Sequence, residues 1–226
     1  MADQVTYPGS LIAVDGSRAK DVNAAANAIA SALKASGVEC AISRWDASGL
    51  FNELAEGARN DRNISVRSLS LIYAADLAFR LRWEIRPVLE AGGVIIAASY
   101  IETVVAFGGS CGLDEQWIRQ LLRFAPEPTI HGRSKERKTQ RPWKRRTDRG
   151  YCEFAAVMLD VSAPKRASHA ARRVMISKLD HPRGHKAIEL DAKGVQAVVK
   201  RTRKKATGSR PAAASQQSSR PRSGRK

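Results

Sequence analysis

The stretch "SLIAVDGSRAKDVNAAANAIASALKASG", residues 10–37, runs from β-branched and apolar residues through Asp15-Gly16-Ser17 into a long alanine-rich segment. Its first part suits a buried strand. In the second part Ala24, Ala28, Ile29, Ala32 and Leu33 recur at the spacing of one helical face. Strand, tight turn and helix open a βα unit, which predicts an α/β fold. The turn has the outline of a phosphate-cradling loop, where glycines let successive backbone N–H groups turn toward anionic oxygens. Where such a loop continues with a second glycine, a lysine and a hydroxyl residue, this chain has Arg18, Ala19, Lys20 and Asp21.

Similar strand-like runs follow at 38–45 ("VECAISRW"), 93–100 ("GVIIAASY"), 154–161 ("FAAVMLDV") and 186–192 ("KAIELDA"). Helical patterns separate most of them, at 21–36, at 66–91 with a kink expected near Pro87, at 114–124 with Asp114 as N-cap, and at 164–178 opened by Pro164. The alternation predicts a parallel five-stranded sheet with helices on both faces. Asp21 is expected to cap the first helix, in preference to serving as a Mg²⁺ ligand.

The net charge of +17 is segregated. Residues 131–150 hold nine Lys/Arg against two Asp/Glu, and 200–226 hold ten Lys/Arg and no acid, so these segments carry the whole excess. The remainder is neutral, which predicts one globular domain over 1–199, a basic insertion at about 129–152 and a basic disordered tail over 200–226. Cys40, Cys111 and Cys152 are odd in number and widely spaced, which argues against a disulfide framework and a zinc site. His181 and His185 are separated by Pro and Gly and share no helical face, so no metal site is expected. No apolar run reaches the roughly 20 residues of a membrane span, and the start "MADQVTYPGS" lacks a leader pattern; the expectation is a cytoplasmic protein with no membrane partner.

The most specific part of the chain is "SVRSLSLIYAADLAFRLRWEIRPVLEAGGVIIAASYIETVVAFGGSCGLDEQWIRQLLRFAPEP", residues 65–128. Its order of elements resembles that of the thymidylate kinase family, P-loop nucleoside monophosphate kinases. In that family an apolar helix ends in Phe-Ala-Ala-Asp-Arg. An Ile-x-Pro-x-Leu-x-x-Gly turn, a strand ending in Asp-Arg-Tyr and a Gly-Leu-Asp-x-x-Trp helix follow. The resemblance covers about residues 10–128 in register and 154–200 more loosely. It implies a P-loop NTPase fold, with Asp15, Gly16, Ser17 and Lys20 at the nucleotide and Arg44, Tyr73, Tyr100 and Phe107 around the monophosphate and base. Tyr73 stands for the family's base-stacking Phe, Phe107 keeps an aromatic wall, and Asp46 stands near the family's acidic residue.

Departures from the family concentrate on charge. Leu77 replaces the arginine that would bond the base edge, and Ala98 and Ser99 replace the Asp-Arg before Tyr100. The arginine-bearing lid is missing; Arg172, Arg173 and Arg183 are the cations in that region, with surface solvation the simpler role for each. Phosphoryl transfer relies on Lys, Arg and Mg²⁺ to hold charge spread over the transferred oxygens. Losing three such partners at roughly 1.5–3 kcal/mol each removes about 5–9 kcal/mol, or about four to six powers of ten in rate. The sequence therefore reads as a thymidylate kinase-like protein, catalytically degenerate, with no cofactor. The alternatives are a working nucleotide kinase using Lys20, ATP and Mg²⁺, and a nucleotide sensor that binds without turnover.

Clustered cations without an apolar face suit nonspecific association with DNA or RNA more than a membrane surface. The candidate contacts are Lys144, Arg145 and Arg146 in the insertion, with Trp143 as the one aromatic beside them, and Lys200, Arg201, Arg203, Lys204 and Lys205 in the tail. Family members often form homodimers through helices; no interface pattern in this chain is distinctive enough to carry that over.

Overall fold

The computed structural model describes residues 6–50, 65–135, 174–175, 177–179 and 187–208. Five parallel strands form one sheet in the order β2-β3-β1-β4-β5: β1 Ser10–Asp15, β2 Cys40–Arg44, β3 Val94–Ala98, β4 Ile130–Ser134 and β5 Ile188–Leu190. β1 lies at the centre and is buried along its whole length. Because successive side chains of a strand point to opposite faces, Leu11 and Ala13 join one core while Ile12 and Val14 join the other.

On the second of these faces α1, Ala19–Ala35, packs through Val22, Ala25, Ala26, Ile29 and Leu33, joined by Val195, Val198 and Val199 of α6, Ala192–Gly208. The opposite face is covered by α2 (Val66–Arg80), α3 (Arg86–Glu90), α4 (Ile101–Ser110) and α5 (Glu115–Leu121). Met175, within the predicted 164–178 segment, and Leu179, one residue beyond it, are helical and pack into the same core. The layers are thus those predicted. The Ser65 hydroxyl caps α2 by accepting from Ser68 N–H at 3.0 Å, and the expected cap Asp114 accepts from Gln116 N–H at 2.9 Å.

The break expected near Pro87 takes the form of a π-helical turn, Leu81–Ile85, between α2 and α3, in which Arg86 N–H reaches back five residues to Leu81 O. Proline has no N–H to give and crowds the carbonyl four residues before it; one widened turn ahead of it absorbs both problems without ending the helix.

Two expectations change at the basic segments. Residues 130–134, "IHGRS", form β4 beside β1, so the start of the segment read as an insertion is a strand of the sheet. Ile130, Gly132 and Ser134 face inward, and a Cβ at Gly132 would lie 2.7 Å from Leu190 Cδ1, so a larger residue there would have to displace the Leu190 side chain. The strand expected at 154–161 lies outside the described residues. Residues 200–208, read as the start of the tail, instead belong to the fold: α6 continues to Gly208, Thr202 is buried, and the Lys205 ammonium donates to Gly9 O at 3.0 Å. No described helix is long and apolar enough to cross a membrane.

Candidate functional site

The carboxyl ends of β1, β2, β3 and β4 bring Asp15, Arg44, Ala98 and Ser134 to one edge of the sheet. In open α/β sheets this edge is where ligands bind. β1 and α1 are joined here by only Gly16, Ser17 and Arg18, because the helix begins at Ala19. A Gly-x-x-x-x-Gly-Lys loop needs a longer arc of inward-turned N–H groups than three residues supply. Gly16 is instead held against β4: a Cβ on it would lie 2.0 Å from Ser134 Oγ and 2.8 Å from Val22 Cγ2. Gly16→Ala should therefore destabilise the fold by about 1–3 kcal/mol. Ser134→Gly in the same chain should recover part of that loss in urea titrations; Ser134 Oγ has no hydrogen-bond partner to forfeit.

Asp15 is buried at the end of β1. Its Oδ1 accepts from Tyr100 N–H at 2.8 Å, Thr103 N–H at 3.0 Å and Thr103 Oγ1–H at 2.7 Å, while Thr103 Oγ1 accepts from Gly16 N–H at 3.3 Å. The carboxylate thus occupies the amino end of α4, a position that favours negative charge. Burial nevertheless dominates, raising its pKa to about 6 against the opposing effect of the Thr103 hydroxyl and backbone bonds.

Asp21 is not the cap of α1. Arg18 occupies that position with no side-chain cap bond, and Asp21 sits in the first helical turn with its Oδ2 3.6 Å from Arg18 Nε. Starting the helix three residues early moves Asp21 inside it, where its charge still complements the positive end of the helix dipole. Lys20 is exposed on the same turn, and Ser17 is buried.

The aromatic candidates Tyr73, Tyr100 and Phe107 are all packed in one core cluster. Tyr73 O–H donates to Tyr100 O at 2.6 Å and Tyr100 O–H to Pro126 O at 2.7 Å, and burial pushes both phenols well above their usual range. Their rings hold α2, α4 and the segment after α5 together, with no face open to solvent. Leu77 is likewise core. Arg44 reaches outward, its Nη2 donating to Asn27 Oδ1 at 2.8 Å.

Sequence reasoning missed the pair that organises this edge, Asp76 and Arg80. The Arg80 guanidinium is fully buried; it donates from Nε to Ser43 Oγ at 2.8 Å, from Nη1 to Ser99 O at 2.9 Å and from Nη2 to Ser43 O at 3.1 Å. Asp76, 3.9 Å from it, accepts from Asp46 N–H, Ser48 N–H and Ser48 Oγ–H. Asp46 is in the left-handed region at φ 62°, so its backbone N–H, in place of its carboxylate, makes the contact. A charged pair spaced four apart in the otherwise apolar second half of the helix, residues 71–80, was the available signal. Among the described residues no group of three His, Cys, Asp or Glu side chains could hold a metal ion.

Of the basic candidates, Lys200, Arg201, Arg203 and Lys204 are exposed on α6, whereas Lys205 is partly buried against Gly9. Trp143, Lys144, Arg145, Arg146, Arg172, Arg173 and Arg183 lie outside the described residues.

No protein-family model matches the chain. Individual proteins do. The chain is 35% identical over 81 residues to a probable thymidylate kinase of Pyrococcus abyssi, covering 36% of this chain and 38% of that protein. It is 39% identical over 75 residues to a probable thymidylate kinase of Thermococcus kodakarensis, covering 33% and 37%. It is 31% identical over 120 residues to the thymidylate kinase of Rhizorhabdus wittichii, covering 50% and 57%. The similarity thus spans from about two fifths to under three fifths of these relatives' own length.

Proposed function

We propose that this chain, which is related to the thymidylate kinase family, keeps the family's fold without its phosphoryl-transfer chemistry and binds nucleic acid through its basic segments. The observation that carries the first half is the three-residue connection Gly16–Arg18, closed against Ser134. Both helix amino ends at this edge already hold protein carboxylates, Asp15 on α4 and the Arg18-paired Asp21 on α1. A nucleotide's phosphates would meet those charges with Lys20 turned to solvent, and the residues present do not fit ATP or its Mg²⁺. Leu77, Ala98 and Ser99 add no cation in compensation.

A coupled assay of the full chain with ATP, Mg²⁺ and dTMP or another nucleoside monophosphate tests this. Expected turnover lies at least about four powers of ten below the 1–100 s⁻¹ usual for kinases, and Lys20→Ala leaves it unchanged. Turnover within that range, abolished by Lys20→Ala, overturns the degenerate reading. Calorimetry with ATP, dTMP and dTTP, run alongside, should give no heat of binding; heat without turnover would favour a nucleotide sensor.

The second half of the proposal is supported by the segregated cations, of which Lys200, Arg201, Arg203 and Lys204 stand on a folded helix. Such charge binds phosphate backbones with little sequence preference and releases counterions in doing so. The full chain should bind DNA or RNA at low salt and lose affinity steeply as salt rises; no binding at low salt by the full chain rejects this half.

A further inference from the structure

We infer that the outward row of α2 and the turn after it, centred on Phe79 and Trp83, is a stacking platform for the bases of a single-stranded nucleic acid, an inference that rests on the nucleic-acid reading above. α2, the π-helical turn and α3 run on without a break from Val66 to Glu90. The inner side of this stretch, through Tyr73, Leu77, Leu81 and Ile85, is core. Its outer side shows Leu71, Ala75, Phe79, Trp83 and Pro87, four residues apart and every one exposed. A row with that step drifts by about 40° per turn around a regular α-helix and would soon meet the core. The extra residue in the turn Leu81–Ile85 sets the row back by about 100°, which keeps Trp83 and Pro87 on the side of Leu71 and Phe79.

Trp83 is 65% exposed and Phe79 40%, so two aromatic rings one helical turn apart stand in water. Monomeric proteins rarely leave such a row uncovered. The charges around the rings select what covers them. The Arg82 guanidinium lies over the Trp83 ring, 5.5 Å from its centroid, and in that position can still present its N–H edge to a phosphate. Of the three acids between 66 and 91, Asp76 is buried beside Arg80, Glu84 is half-buried, and Glu90 stands exposed at the far end of the row. A second copy docked symmetrically about Phe79 and Trp83 would bring the two Arg82 side chains close together, between bodies each of net charge +17. An anion that carries planar rings fits both features instead. A single strand offers unpaired bases to Phe79 and Trp83 and its phosphates to Arg82, whereas a duplex keeps its bases stacked on one another. Stacking accepts any base, so the site distinguishes strandedness and not sequence.

The test is fluorescence anisotropy of a labelled mixed-sequence DNA strand, and of its duplex, with the full chain across a salt series. Trp83→Leu keeps an apolar side chain and removes the ring; it is expected to weaken single-strand binding about 5-fold or more and duplex binding less than about 2-fold. Adding Phe79→Leu should weaken the single strand further, while Trp83→Phe should keep most of the affinity because a stacking face remains. The slope of log affinity against log salt should be nearly unchanged in Trp83→Leu, which loses no phosphate contact, and shallower by about 0.7 in Arg82→Gln. Circular dichroism melting of each variant checks that the fold is retained. If both probes bind but Trp83→Leu leaves the single strand unchanged, or weakens both probes alike, the platform is overturned and the nucleic-acid reading survives. Sedimentation velocity of the chain alone covers the other occupant: a dimer that Trp83→Leu dissolves, with single-strand affinity unchanged, assigns the row to a second copy and overturns the inference. If the unsubstituted chain binds neither probe at low salt, the platform and the nucleic-acid reading both fall.

Discussion

Replacing Arg80 with methionine is expected to lower stability by about 3–5 kcal/mol, the usual consequence of removing one partner from a buried ion pair. Methionine fills a similar volume, so the loss is not mainly a packing loss. It is electrostatic. The guanidinium satisfies the carbonyls of Ser43 and Ser99 and the Ser43 hydroxyl, and it is the cation beside Asp76, itself 1% exposed. Without Arg80 the Asp76 carboxylate stays in the interior with its three donors and no countercharge, and two strand-end carbonyls lose their donor. Arg80→Lys should fall between, because an ammonium supplies the charge but cannot reach three acceptors in one plane. The double change Asp76→Asn/Arg80→Met should cost less than the two single losses added together, since the amide removes the stranded charge while its oxygen can still accept from Ser48. Urea midpoints at constant m-value give these differences directly. A loss below about 1 kcal/mol for Arg80→Met would show that the cluster does not hold β2, β3 and α2 together.

The same pair marks where sequence ceased to be a guide. The layers were legible because apolar period alone decides them: runs such as "LIAV" and "VIIAA" have no place but a buried strand, and α1 declares its inner face through Val22, Ile29 and Leu33. β4 was not legible, since "IHGRS" carries one large apolar residue and becomes a strand only because Ile12, Val14 and Leu190 supply the neighbours its small inward residues need. The end of α6 was hidden for a related reason. Its composition resembles a solvated tail, while the buried Thr202 and the bond from Lys205 to Gly9 O tie it to the body. At the site, the missing charges could be named from the sequence, but what fills their place could not. Whether Gly16 opens toward a ligand or closes on Ser134 depends on where β4 runs, and whether Asp21 caps α1 depends on a helix start that the alanine-rich pattern leaves free to slide.

Asp15 gives the second large effect, visible as a function of pH. Its folded pKa is about 6, above an unfolded value near 3.8, so the folded state holds the proton more tightly than the unfolded state does. The stabilisation this provides is complete below the unfolded value and is lost as pH rises through 6, a change of about 3 kcal/mol for a shift of this size. Other carboxylates act in the opposite direction, as Asp191 does where the Gly194 N–H lowers its pKa, so the raw pH profile mixes signs. Comparison with Asp15→Asn isolates the one group. The amide oxygen can still accept from Tyr100 N–H, Thr103 N–H and the Thr103 hydroxyl, and the residue no longer titrates. The difference in unfolding free energy between the two proteins should therefore change by about 2 kcal/mol between pH 4 and pH 7, with the variant gaining on the parent as pH rises. Asp15→Ala should instead be less stable at every pH, because it strands the amino end of α4 without an acceptor. A difference that stays flat from pH 4 to pH 7 would mean that the buried carboxylate titrates near its ordinary value, held there by its three donors. The charge at the end of β1 would then be fixed at every working pH, leaving the site still less able to admit a phosphate.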